Sequence, residues 1–134
     1  MKIDGRCHCG AISYEAEIDP KDVLICHCTD CQTMSGTPFR TAVRTSEANF
    51  KLLSGRPKTY VKTAESGNKR AQTFCGECGS PIYATSVGDD PRIFGIRLGA
   101  VRQRDQLVPK QQYWARSALP WLPELGAIPK VETQ

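Results

Sequence analysis

Apolar and polar residues alternate with a period of two along much of the chain, which predicts a mainly β protein. From Ala11 to Ile18 the residues Ile12, Tyr14, Ala16 and Ile18 fall on one face. Asp19-Pro20 ends that strand, and the short apolar run Val23-Leu24-Ile25 carries the chain into Cys26. Between Phe39 and Thr45, Phe39, Thr41 and Val43 stand opposite Arg40, Ala42 and Arg44, an alternation expected of an edge strand. Turns at Ser54-Gly55-Arg56-Pro57 and Glu65-Ser66-Gly67-Asn68 bracket a strand from Lys58 to Thr63. A polar strand, Lys69 to Phe74, follows. Pro81 to Thr85 and Arg92 to Leu98 read as a hairpin about Gly88-Asp89-Asp90-Pro91.

Helix signals are scarce, and at most one or two short helices are expected. Thr29 is a candidate cap for a turn running through Cys31, Gln32 and Met34, with Gly36 as its stop. Beyond Pro109, the residues Tyr113, Trp114, Pro120, Trp121 and Pro123 read as an irregular flap packing aromatics onto the sheet. Pro129 to Gln134 reads as a loose end. The 134 residues are expected to form one domain, with a core from about residue 5 to 121 and a tail over 122–134.

Composition adds little to this picture until the cysteines are counted. The formal charge is +4 and the pI about 8.7, with basic residues interleaved among 14 acidic ones. This suits small anionic substrates at least as well as nucleic acid, and no basic block is dense enough to demand the latter. Met1-Lys2-Ile3-Asp4-Gly5-Arg6 has no apolar stretch after its charges, so no signal peptide is read there. No segment reaches transmembrane length, and a cytoplasmic protein with no membrane partner is expected.

Seven cysteines fall in three clusters: Cys7-His8-Cys9-Gly10, Cys26-His27-Cys28-Thr29-Asp30-Cys31 and Cys75-Gly76-Glu77-Cys78-Gly79. An odd count without export signals argues against a disulfide framework and for metal ligation. Cys26, Cys28 and Cys31 are close enough for one short turn to bring them to a single metal. The pairs Cys7/Cys9 and Cys75/Cys78 can each supply half of a tetrahedral site, and Gly76 and Gly79 suit the second turn. Structural zinc sites are closed by four protein ligands, while catalytic ones keep three and an open position. A division into four and three therefore points to an enzyme. The bland alternative is a fourth ligand from His27 or His8. Each lies between two ligands on the chain, which directs its side chain away from a metal they share. All-sulfur donors suit zinc, with an iron–sulfur cluster the lesser alternative. Zinc held by three thiolates is a weak generator of hydroxide and a good holder of a fourth, exogenous thiolate.

Three segments carry a family resemblance. They are Gly5-x-Cys7-His8-Cys9-Gly10-x-Ile12-x-Tyr14, Cys26-His27-Cys28-x-x-Cys31-x-x-x-Ser35-Gly36-x-Pro38-Phe39, and Phe74-Cys75-x-x-Cys78-Gly79-Ser80-Pro81-Ile82-Tyr83. Together they resemble the glutathione-dependent formaldehyde-activating enzyme family, whose domain is shared with centromere protein V. The resemblance implies a zinc-pinned β-tent of antiparallel sheets with two zinc ions per chain. It implies a structural zinc at Cys7, Cys9, Cys75 and Cys78 and a catalytic zinc at Cys26, Cys28 and Cys31. The implied activity is a carbon–sulfur lyase running backwards, an S-(hydroxymethyl)glutathione synthase joining glutathione, or a related thiol, to formaldehyde or a related aldehyde. Members often carry a histidine before the late aromatic pair, where this chain has Gln111-Gln112-Tyr113-Trp114. A basic residue common before the final Pro-Trp is replaced by Ala118-Leu119.

Arg40, Arg44, Lys69 and Arg70 are candidates to meet the carboxylates of a peptide-like substrate, each weighed against a plain solvated charge. Phe39 is a candidate pocket wall, while Trp114 and Trp121 read first as packing. The alternative function is a non-catalytic zinc module binding nucleic acid or a protein partner. Scattered basic residues and an aromatic content of 7% offer it no stacking platform.

Overall fold

The computed structural model describes residues 1–134. Ten strands form two sheets: β1 (Lys2–Arg6), β2 (Ser13–Glu17), β3 (Val23–Cys26), β4 (Arg40–Ser46), β5 (Phe50–Ser54), β6 (Lys58–Thr63), β7 (Lys69–Phe74), β8 (Pro81–Ser86), β9 (Ile93–Arg97) and β10 (Gln111–Tyr113). The small sheet has the order β1-β2-β5 and the large one β10-β3-β4-β9-β8-β7-β6. One α-helix, α1 (Thr29–Ser35), joins β3 to β4, and the remaining helical segments are short 3-10 turns. The protein is mainly β, as its alternation predicts.

The two sheets face each other across one core. Ile12, Tyr14, Ala16 and Ile18 are buried from the small sheet, together with Ile3 of β1. Val43 of β4 and Phe94 and Ile96 of β9 meet them from the large sheet. Phe50 of β5 closes the seam, with its ring 5.1 Å from Tyr14, 5.1 Å from Tyr83 and 5.3 Å from Phe94. Tyr83 and Phe94 stack at 4.1 Å across β8 and β9. Offset and edge contacts of this kind add to the burial of the rings themselves.

Four features differ from the sequence expectation. First, β4 lies between β3 and β9 rather than at an edge, and Arg40 is 6% exposed. Its alternating charges face a second, recessed surface of the sheet rather than open solvent. Second, β1, β5 and β10 were not anticipated. In β1 the one buried apolar side chain is Ile3, too little to show a period, and in β5 the consecutive Leu52 and Leu53 are both exposed beside the half-buried Phe50, which blurs the alternation. Third, β10 is exposed and pairs with β3 in parallel, Gln111 opposite Leu24 and Tyr113 opposite Cys26, so the sheets are not wholly antiparallel. Fourth, Trp114 and Trp121 are each 41% exposed and do not pack into the core. Trp114 also holds a left-handed backbone at φ 56°, ψ 41°. Near the end of the chain, Leu122–Ala127 makes a 3-10 turn, followed by exposed residues without regular structure.

Candidate metal centres

The four-cysteine cluster sits where the two sheets are tied together. Cys7 and Cys9 follow β1, and Cys75 and Cys78 occupy the turn between β7 and β8. All four Sγ atoms lie within 4.8 Å of one another. Cys7 and Cys9 are 3.6 Å apart, and Cys9 and Cys75 3.8 Å. A zinc tetrahedron with bonds of 2.3 Å has sulfur–sulfur edges of about 3.8 Å, so the donor set fits that ion in chemistry and spacing. Each half is built by a backbone loop. Cys7 N–H donates to Ile12 O at 3.0 Å while Ile12 N–H donates to Cys7 Sγ at 3.2 Å. Cys75 N–H donates to Ser80 O at 2.9 Å, and Gly79 N–H to Cys75 O at 2.8 Å. Gly10 (φ 82°) and Gly79 (φ 77°) hold the left-handed conformations that close these loops. Gly76 needs no such conformation; a side chain there would instead strike Lys58. Ser80 Oγ links the halves, accepting His8 N–H at 3.0 Å and lying 3.2 Å from Cys78 Sγ. Its hydroxyl is the foremost cause holding the Cys78 thiol down to about 5. Cys7 and Cys75 are buried, whereas Cys9, Cys78 and His8 are exposed.

The three-cysteine cluster lies at the end of the large sheet. Cys26 is the last residue of β3, Cys28 caps α1, and Cys31 stands in its first turn. Their sulfurs also lie within 4.8 Å of one another, and no histidine, carboxylate or further cysteine joins them. The helix cap is Cys28 rather than Thr29: its Sγ accepts the Cys31 N–H at 3.2 Å. Gly36 stops the helix as expected, at φ 66° with its N–H on Gln32 O. All three sulfurs are half-buried. Hydrogen bonding with Cys31 is the foremost cause holding Cys26 down to about 5, opposed by burial and helped by Cys28 and Lys62. The same contact pushes Cys31 well above its ordinary value.

His27 is turned away from the metal cluster. Its ring is 3% exposed, Nε2 donates to Gln112 Oε1 at 2.7 Å, and Nδ1 has no partner. Phe39 meets it edge-on at 5.6 Å. Gln112 thereby anchors β10 to the ligand turn.

The structure also shows what sequence reasoning missed. Gln32 Nε2 donates to His27 O at 2.8 Å and Ser117 O at 3.0 Å, pinning the C-terminal segment to the cysteine turn. A glutamine in a helix gives no sequence signal for this. Lys62 reaches across from β6 to Asp30 on α1 at 2.9 Å. Cys28, Lys62, Glu65, Trp114 and Arg116 line a polar cleft of about 360 Å³. Of the expected substrate cations, Arg44 is paired with Asp22 at 2.6 Å and Lys69 is exposed. Arg40 is buried, Arg70 is half-buried, and neither meets a carboxylate.

A family model described as glutathione-dependent formaldehyde-activating enzyme matches residues 2–117. The chain belongs to that family. A Schizosaccharomyces pombe protein named an uncharacterized lyase is 28% identical over 95 residues, covering 66% of this chain and 61% of that relative. A structural-genomics crystal structure of a Rhodobacter sphaeroides protein superposes with a TM-score of 0.61 at 18% identity. It covers 81% of this chain and 98% of its own, a likeness of fold alone. Family membership, the mainly β fold and two cysteine clusters compatible with metal thus agree. No helix is long and apolar enough to cross a membrane.

Proposed function

We propose that this chain is a zinc-dependent carbon–sulfur lyase of the S-(hydroxymethyl)glutathione synthase type, acting in the cytoplasm as one domain with its core over about residues 5–121. It would join a glutathione-type thiol to formaldehyde or a related small aldehyde. The carrying observation is the asymmetry between the clusters: four sulfurs within bonding reach of one centre, and three sulfurs with no fourth protein donor at the other. Cys7, Cys9, Cys75 and Cys78 would hold a structural zinc, and Cys26, Cys28 and Cys31 a catalytic one, two ions per chain. When bound at the three-cysteine site, zinc supplies a position that stabilises an added thiolate at neutral pH.

The rest of the work falls to this chain's own residues. The addition forms one carbon–sulfur bond, opens the aldehyde carbon–oxygen π bond, and moves the thiol proton to the new hydroxyl oxygen. Cys28 Sγ and the backbone of α1 fix the ligand turn, so the sulfurs are arranged before substrate arrives. Gln112 holds the His27 ring away from the three sulfurs, so that no protein donor besides Cys26, Cys28 and Cys31 would hold the ion. The polar cleft that begins at Cys28 gives the thiol a path to it.

Glutathione and formaldehyde combine unaided, so the test is acceleration of their exchange, followed by NMR on zinc-loaded protein. Wild type should accelerate it, and Cys28→Ser should return the rate to background. Equal rates for both proteins would sink this reading. Salt-sensitive binding of duplex DNA by both alike would support a nucleic-acid module instead.

A further inference from the structure

Two arginines stand on the face of the large sheet that carries Cys26, and neither has a carboxylate to meet. Cys26 lies directly opposite Arg40 of β4, and Ala42 lies opposite Arg97 of β9. Directly opposed residues share a face, as do alternate residues of one strand. Arg40 and Arg97 therefore project on the side of the Cys26 sulfur. Gly95 of β9, Ala84 of β8 and Gln72 of β7 continue the same face through their pairing.

Arg40 Nη1 at 3.2 Å and Arg97 Nη2 at 2.7 Å both donate to one neutral acceptor, Gln72 Oε1. Arg40 and Gln72 are buried, Arg97 is half-buried, and Arg40 Nε has no partner. Neither arginine takes part in any of the protein's ion pairs. The cavity of about 460 Å³ that both line, walled also by Pro38, Phe39, Pro81 and Ala100, has no acidic residue. Two like charges on one amide oxygen, largely withdrawn from water, call for an anion. What the group faces is the sulfurs of Cys26 and Cys31. Burial, then the charge of Arg40, pushes Arg97 down to about 9, and the charges of Cys31 and Cys26 act in the opposite sense. Lys62, another cation that acts on Cys26, is already paired with Asp30 at 2.9 Å.

We propose that Arg40 and Arg97, joined by Gln72, are the built-in counter-charge of the three-cysteine centre. They are positioning residues: they stabilise the sulfur anions of Cys26 and Cys31 from behind and so set how tightly the centre holds its ion. Three thiolates around a divalent ion leave one negative charge in excess, and a substrate thiolate would add a second. Two guanidiniums match that sum, so the protein supplies the balancing charge before the thiol arrives. The four-cysteine cluster has no such partner among its hydrogen bonds, which come from backbone N–H groups and the Ser80 hydroxyl. The inference rests on the zinc reading above and deepens it, because it names what tunes the more open of the two centres. Partners that stand behind metal ligands commonly govern affinity in this way.

Zinc competition against a chromophoric chelator tests this, with Cys28→Ser identifying which ion belongs to the three-cysteine centre. Arg97→Met should weaken that ion at least about tenfold and leave the ion of the four-cysteine site unchanged. Arg97→Lys, which keeps the charge, should recover most of the loss. Melting gives a second readout that a merely structural arginine would not produce. Arg97→Met should lower the melting temperature of zinc-loaded protein. In the Cys28→Ser background it should hold or raise it, because the guanidinium there has lost the anion it balances. Gln72→Glu guards against misfolding: its carboxylate takes the two guanidiniums for itself. It should weaken the same ion at least about tenfold while holding or raising the melting temperature. Unchanged zinc affinity in Arg97→Met and Gln72→Glu overturns the proposal. An equal drop in melting temperature in both backgrounds, or no recovery in Arg97→Lys, assigns the arginine to packing and overturns it as well. The exchange assay separates this inference from the reading it rests on. Acceleration by wild type with full zinc affinity in both variants removes the counter-charge and leaves the lyase. A weakened ion in both variants, with no acceleration by wild type, removes the lyase and leaves the counter-charge.

Discussion

Cys28 Sγ accepts the backbone N–H of Cys31 at 3.2 Å, so one sulfur both caps α1 and faces the three-cysteine cluster. The two roles are separable by substitution. Serine is a good helix cap, so Cys28→Ser should keep α1 and lose the metal at this site. Cys28→Ala should lose both and be less stable than Cys28→Ser by about 1 kcal/mol. Metal analysis paired with urea denaturation of the two variants checks this. Equal stability would mean that the cap contributes nothing.

The two clusters should differ in what their loss does to the fold. Cys7 and Cys75 are buried in the core and join strands 66 or more residues apart in the chain. Their replacement by serine should lower stability by several kcal/mol, on the order expected of a structural zinc. Cys31→Ser leaves the sheets joined and should cost far less. Graded chelation followed by circular dichroism gives a second view. One zinc should leave first with the β signal intact, and loss of the other should unfold the protein.

Gly5 and Tyr14 lie in tight contact across β1 and β2. A Cβ on Gly5 would collide with the Tyr14 ring and come within 2.6 Å of Ala100 O, which is backbone and cannot yield cheaply. Gly5→Ala should therefore destabilise by about 1–3 kcal/mol. Tyr14 is fully buried, and its hydroxyl has no partner. Tyr14→Phe removes an unsatisfied polar group and should be neutral or stabilising by up to about 1 kcal/mol. Thermal melts of both variants decide it, and a large loss in Tyr14→Phe would contradict the unpaired hydroxyl.

Acid stability should depend in part on Asp4. Hydrogen bonds from Arg102, then Gln103, hold its carboxyl down to about 2 from an ordinary value of 3.8. A carboxylate with a lowered folded pKa stabilises the protein above its unfolded value, and the gain fades as pH falls from 3.8 towards 2. Asp4 is 44% exposed, so solvent screening limits the effect to about 1 kcal/mol or less. Asp4→Asn should lower the melting temperature at pH 7 and match wild type near pH 2. High salt should shrink the difference at pH 7.

Trp114 holds a left-handed backbone that costs a bulky residue about 1–2 kcal/mol. Its ring stands 4.8 Å from Arg116 Cζ, and both residues line the cleft beside Cys28. Trp114→Asn relieves the strain, because asparagine adopts this conformation readily. It should keep or raise stability while slowing glutathione exchange, measured by melting and by NMR. Reduced stability with full exchange would show that the ring serves packing alone.

The sequence by itself determined the division of the cysteines, the β class, most strands and the stop of the helix at Gly36. These are local properties: spacing decides which sulfurs can share a centre, and a period of two decides which side chains share a face. It also pointed His27 away from the metal, because a residue between two ligands must face elsewhere. Only the tertiary structure decided the rest. The place of β4 depends on which strands flank it, and Arg40 reads as an edge charge until β3 and β9 pair with its strand on either side and Gln72 of β7 meets its guanidinium. The arginine pair on Gln72 joins residues from three strands far apart in the chain, so no local pattern announces it. The strands β1 and β10 are held by pairing partners more than by their own apolar content, and pairing is a long-range property.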